Sequence, residues 1–330
     1  MRSIIPFISV AILALSTTGC QEEIDLDLPA NDAELVVEGY LTQRDYFIPE
    51  GDLDCFGQTT IAHDFIEIAV AAVDAFINID SIESQTDYFP FNKVRLTSTA
   101  DYFANSAPPA VSGAVVRLFE DGTLVETLSE DASEAGIYRI THLPKVGSSY
   151  YLEIEALGNF YETTPEVYQS VPPLISVDAN YGPNFIQDSC AFYMGVQTYE
   201  KPGTGDHYRW FFYRDNEYDD RPGFIATSND DGIDAFCLFG LDVYGDELEL
   251  GDTLITFQMI TTEGYFNFIN SVRNQTAFVG SPFDAPPAPI QGNVKNVTKG
   301  TAAFGYFAAG GISANAAIVP EVRPDEDCLQ

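Results

Sequence analysis

In 330 residues the chain carries 50 Asp and Glu against 15 Lys and Arg, a formal net charge of -35. Such a surface repels phosphate backbones and anionic headgroups, which excludes nucleic-acid binding and adsorption to a membrane through the protein face. The acids are spread rather than blocked, and aromatics make up 13% of the residues. That composition belongs to a folded, strongly solvated domain and not to a disordered acidic tail.

At the N-terminus a single basic residue, Arg2, precedes an apolar run from Ile4 to Leu15, and small residues follow. This is the layout of a secretory signal, too short and too soon ended by polar residues to span a bilayer. Its end, Leu15-Ser16-Thr17-Thr18-Gly19-Cys20, resembles the lipobox of a bacterial lipoprotein, with Thr17 where leucine is usual. The resemblance implies a signal peptide at 1–19 and a diacylglyceryl group and an N-acyl chain on Cys20; an ordinary secretory signal with a structural cysteine nearby is the alternative. Each buried methylene contributes ~0.8 kcal/mol, so a triacylated cysteine holds its domain at a membrane lastingly. Residues 20–33, polar and acidic from Gln21 to Asp32, read as a tether. The acidic pair Glu22-Glu23 resembles the surface-export signal of Bacteroidota lipoproteins, which implies an outer-membrane protein facing the exterior; a solvated linker accounts for the same residues.

Beyond the tether, Leu35 to Thr42 is a β-branched, apolar run that predicts a strand. Within 43–92, Ile61, Phe65, Ile68, Ala72 and Phe76 recur at helical spacing, with Thr59 or Thr60 as N-cap and a hairpin as the rival reading. Strand signals resume at Val94–Thr97 and Ala114–Phe119, and Asp121-Gly122 turns the chain into Leu124–Leu128. Gly136–Ile140, Tyr150–Glu155 and Phe160–Thr163 follow at regular spacing, the pattern of an antiparallel β-sandwich. Prolines at 165, 172 and 173 mark a junction over 165–176. The second half predicts strands at 191–198, 207–214, 236–240 and 253–261, a helix over Glu263–Gln275, and short strands near Asn293–Val297 and Phe304–Phe307. The expected organisation is therefore mainly β. A sandwich at 34–168 with an insertion at 43–92 precedes a second β-rich domain with a short helix at 169–330.

Four cysteines remain after Cys20: Cys55, Cys190, Cys237 and Cys328. None forms a Cys-x-x-Cys pair, which removes zinc-ribbon and thioredoxin-like readings, and an exported chain meets an oxidising compartment. Two disulfides are expected. Of the three connectivities, Cys190–Cys237 with Cys55–Cys328 is the favoured one, free buried thiols being the alternative. The three histidines, His63, His142 and His207, lie at no metal-binding spacing, and Gly-x-Ser-x-Gly is absent. Asn229–Asp234 does not match a calcium loop, because Thr227 and Leu238 stand at its first and twelfth places. Asp230, Asp231 and Asp234 remain the candidates for a looser calcium site, with a solvated turn as the simpler reading. No metal or other cofactor is expected, and no catalytic group stands out.

Four pieces, in order, carry a further resemblance: Leu35–Tyr40 soon after the lipobox, Val94-Arg95-Leu96 leading into Tyr102–Ala114, Gly136-Ile137-Tyr138 with Tyr150-Tyr151-Leu152, and Gly292-Asn293-Val294 with Gly305-Tyr306-Phe307. Together they resemble the Bacteroidota lipoprotein family called domain of unknown function 4249, over nearly the whole mature chain. The resemblance implies an immunoglobulin-like or carboxypeptidase-regulatory-like first half. It also implies a role beside TonB-dependent outer-membrane receptors, since members are often encoded next to them. The segment 43–92 departs from it, being much longer than the family's link. Asp-Tyr-Phe occurs three times, at 45–47, 87–89 and 101–103. Tyr46, Phe47, Tyr88, Phe89, Tyr102 and Phe103 are accordingly the candidates for contact with a ligand or partner, against the plainer reading that they close the core. The expected function is that of a non-enzymatic surface lipoprotein, accessory to a β-barrel receptor in ligand capture. A structural subunit of an outer-membrane assembly or secretion complex is the alternative.

Overall fold

The computed structural model describes residues 33–55, 59–76, 78–86, 88–100, 106–184, 189–201, 203–221, 226–230, 239–243, 248–277 and 290–320. The signal, Cys20 and the tether lie outside them. Strands are numbered in chain order. The largest sheet has nine, along β15 (Glu217–Tyr218), β14 (His207–Arg214), β18 (Thr253–Thr261), β21 (Phe304–Ile318), β1 (Leu35–Gln43), β4 (Lys93–Ser98), β8 (Ile137–Arg139) and β7 (Ser129–Glu130), with β16 (Ala226–Asn229) also on β14. A seven-stranded sheet runs β20 (Thr301–Ala302), β19 (Val294–Asn296), β10 (Asn159–Thr163), β9 (Ser149–Ala156), β5 (Val115–Glu120), β6 (Thr123–Thr127), with β11 (Glu166–Val167) on β9. Three strands form β12 (Leu174–Asn184), β13 (Ser189–Thr198) and β17 (Phe239–Val243), and a small hairpin pairs β2 (Leu53–Cys55) with β3 (Thr59–Ile61).

Period-two alternation sorts the side chains of the large sheet. On β1, Leu35, Val37 and Leu41 point one way, into a core shared with Leu118 of β5, Ile154 of β9 and Tyr161 of β10. On β14, Tyr208, Trp210 and Phe212 face Phe192, Met194 and Val196 of β13. Both are sandwich packings on the same side of one sheet. Polar groups between the layers are matched: Trp210 donates to Gln258 at 3.1 Å, and Gln258 in turn donates to Pro172 O at 3.1 Å. The opposite face of the sheet carries Tyr40, Phe211, Phe257 and Tyr306, covered by Tyr265 of a helix and by Ile82, Phe89 and Phe91.

The mainly β, sandwich-like character agrees with the sequence, but two details differ. The chain does not divide at 168/169: residues 33–330 form one compact unit, and the large sheet joins β1 and β4 to β14, β18 and β21. The link is a parallel pairing of β1 with β21, Val36 opposite Phe304 through Gln43 opposite Gly311, so the sheet is mixed. At this contact Gly305 has φ +92°, and a β-carbon on it would lie 1.8 Å from Val37 O. The proline-rich stretch is no linker either, since Tyr168, Val171 and Leu174 are buried and Val171 bonds to the backbone of Asp45 and Phe47.

The segment 43–92 supplies the β2–β3 hairpin and two helices, α1 (His63–Phe76) and α2 (Ile79–Gln85). Thr59 and Thr60 lie within β3, and α1 starts where His63 N donates to Asp52 Oδ1 at 2.9 Å. The expected helix over Glu263–Gln275 is α3 (Glu263–Thr276), capped by the Thr262 hydroxyl accepting from Tyr265 N.

Candidate functional site

A cavity of about 410 Å³ opens where α2 and residues 88–91 after it meet the edge of the large sheet. Local chemistry explains how the segment is held there. Asn78 caps α2, its side chain accepting from Ser81 N at 3.1 Å. Ile82, Phe89 and Phe91 then bury themselves in the aromatic face of the sheet, Phe91 lying edge-on to Phe211 with centroids 5.0 Å apart. Asn92, at φ 54°, turns the chain into β4 and accepts from Thr42 N at 2.9 Å.

Alternation on β4 sends Val94 and Leu96 into the core and Lys93 and Arg95 to the cavity. Lys93 stands directly opposite Arg139 of β8. Like charges so placed destabilise a sheet, and Glu83 of α2 bridges them, 2.8 Å from Lys93 Nζ and 2.9 Å from Arg139 Nη1. Burial pushes the Glu83 carboxyl up, but the bonds from Lys93 and Arg139 outweigh it and leave it below its ordinary value. Asp131 takes the other side of Arg139 at 2.5 Å, and hydrogen bonds from Ser133 and from Arg139 hold its carboxyl far below the usual range.

Arg95 is placed differently. Its Nε is 4.0 Å from Glu38 and its Nη2 3.7 Å from Glu134, both beyond hydrogen-bond distance. The guanidinium lies over the ring of Tyr88, 5.9 Å from the centroid. Tyr88 is itself fixed, its hydroxyl donating to Glu38 and its ring 4.7 Å from that of Tyr218. Burial, then the Glu38 charge, raises the Tyr88 hydroxyl well above its ordinary pKa, so it stays a donor.

Of the six aromatic candidates that the repeated Asp-Tyr-Phe triplet singles out, Tyr88 and Phe89 line this cavity. Tyr46 packs on the core between β14 and β13, and Phe47 packs against Tyr199, whose hydroxyl donates to Phe47 O; these two close the interior. Tyr102 and Phe103 lie outside the described residues. Lys93 and Arg139 belong to no motif in the sequence, and Arg95 appears there only within the Val94-Arg95-Leu96 strand signal and not as a binding candidate, although the scarcity of Lys and Arg marks any position where they converge.

Among the described residues a second group gathers Glu200, Asp206 and Asp230, with carboxylate oxygens within 4.8 Å of one another. Asp230 is thus in an acidic cluster, whereas Asp231 and Asp234 lie outside the described residues. The cluster satisfies itself: Asp230 accepts from Gly205 N and Asp206 N at 3.0 Å, Lys201 bonds to Asp206 at 2.8 Å, and the Tyr208 hydroxyl donates to Glu200 at 2.6 Å. Burial pushes the Glu200 carboxyl up to about 7. The arrangement clamps a loop to β14.

Cys190 is disulfide-bonded. Cys237 and Cys328 lie outside the described residues, and Cys55 is described only as the end of β2.

The sequence model of a family described as Domain of unknown function (DUF4249) matches residues 91–315. The match takes in Lys93, Arg95, Glu134 and Arg139 but not Glu83 or Tyr88, so the cavity has walls on both sides of the matched region's edge. No curated protein matches the chain.

Proposed function

The chain belongs to the DUF4249 family, and from that premise we propose that it is a non-enzymatic lipoprotein of the outer membrane, held by acyl chains on Cys20 and facing the cell exterior. In this reading it serves a β-barrel receptor of the TonB-dependent type by capturing a ligand beside it. The observation that carries the reading is the cavity between α2 and the β4–β8 edge: about 410 Å³ is ligand-sized, and its walls combine charged and aromatic side chains. The lipobox-like sequence supports the anchor, and among the described residues no helix is long and apolar enough to cross a membrane. A tether raises the local concentration of captured ligand at a barrel without requiring strong intrinsic affinity. Purification of the tagged, full chain from native membranes in mild detergent, followed by mass spectrometry of what accompanies it, tests the proposal. A TonB-dependent receptor is expected.

A second reading, as structural subunit of a larger outer-membrane assembly or secretion complex, is favoured by one feature. Helix α1 exposes Phe65 (51%) and Ile68 (67%) side by side while burying only Ile66 among the side chains described on it. Recovery of secretion or barrel-assembly subunits in place of a receptor selects it.

A further inference from the structure

Resting on the reading of the seam cavity as a capture site, we propose that its ligand is a small organic molecule bearing a carboxylate, gripped by the guanidinium of Arg95. In a chain of net charge -35, three of the fifteen cations line one cavity. Two of them are already satisfied by a carboxylate: Glu83 bridges Lys93 and Arg139 at 2.8 and 2.9 Å. The site therefore contains, in its own side chains, the chemistry it is built to accept.

Arg95 stands two residues along β4, on the same face. Among the described residues it makes no hydrogen bond to a side chain, its closest carboxylates being at 3.7 and 4.0 Å. One of these, Glu134, is more than half exposed; the other, Glu38, is occupied by the Tyr88 hydroxyl. The ring of Tyr88 holds the guanidinium against the cavity wall, and its fork of donors has only these two long ion pairs and no hydrogen bond among the described residues. A planar carboxylate fits that fork through two parallel hydrogen bonds, which a lysine in the same place could not supply. The volume points to an organic ligand and not to a simple inorganic ion, and Ile137 and Phe89 give the remainder of such a molecule an apolar wall.

The test is isothermal titration of the detergent-purified mature protein with gluconate, citrate, glutarate and benzoate, each against its neutral amide, with sulfate as the inorganic control. At least one carboxylate should bind at least tenfold more tightly than its amide and than sulfate. Arg95→Gln should weaken that binding by at least tenfold. Arg95→Lys, which keeps the charge and loses the fork, should fall between. Arg117→Gln, which removes a cation paired with Glu155 on the other sheet, should bind as the parent does; circular dichroism of each variant confirms that it folds. Amides or sulfate binding as well as carboxylates, no binding by any member of the panel, or an Arg95→Gln variant that binds normally would each overturn the carboxylate assignment. Receptor co-purification is scored separately. A chain that brings down the receptor but ignores the panel defeats this inference alone, whereas one that binds a carboxylate without a receptor defeats only the partnership.

Discussion

The hydroxyl of Tyr306 donates to Glu166 Oε1 at 2.7 Å, joining β21 to β11 inside the molecule. Thr262, the N-cap of α3, donates to the other oxygen, and Asn293 lies 3.3 Å from the first. One carboxylate thus ties two strands, a loop and the start of a helix together. Burial raises its pKa, and the three donors hold the rise in check. Glu166→Ala leaves those donors buried without an acceptor and should cost about 2–4 kcal/mol in urea unfolding, whereas Glu166→Gln, which keeps the shape and one acceptor, should stay within about 1 kcal/mol. Equal losses for the two variants would show that the network does not act as described.

Glu200 sets a pH dependence. Its native pKa is pushed up to about 7 by burial, with Asp206 and Asp230 adding repulsion, against 4.5 for an ordinary glutamate. The folded state therefore holds this proton more tightly than the unfolded chain does. Stability is greatest below pH 4.5 as far as this group is concerned, declines from there to about 7, and is level above it. The decline should amount to on the order of 2 kcal/mol after solvent screening. Glu200→Gln keeps the bond from Tyr208 and should flatten this part of the profile, measured as urea midpoints at about pH 5 and about pH 8.

How far these features can be read from sequence depends on the range of the interaction. The 207–214 and 253–261 strands and the helix after Thr262 announce themselves through aromatic runs and a capping residue, and the structure matches them to within a residue. Strand β12 hides behind Pro172 and Pro173, which look like a linker when their burial is not known. The sequence predicts β21 only to Phe307, because Ala308–Gly311 is poor strand sequence; a β-carbon on Gly310 would lie 2.0 Å from Ile260 O, so close backbone approach dictates the small residues. The single compact unit is hidden for a related reason: the β1–β21 pairing joins residues about 270 positions apart and leaves no local pattern. Tyr88 and Phe89 stand out as part of a repeated triplet. The cations opposite them come from two strands whose register no periodicity reveals.

Glu83 fastens α2 to the sheet, and the bond should loosen in acid. Although burial opposes ionisation, Lys93 and Arg139 keep the carboxyl below its ordinary value of 4.5. A lowered native pKa contributes stability above the unfolded value and loses it as pH falls through the native one. Hydrogen exchange in α2 should therefore accelerate, relative to the intrinsic rate at each pH, as the pH falls through the lowered native value of Glu83 while β4 stays protected. Glu83→Gln should give the same pattern at neutral pH, with a global cost of only about 1 kcal/mol because the group is partly exposed. Uniform acceleration across the sheet would contradict the role of Glu83 as a local fastener.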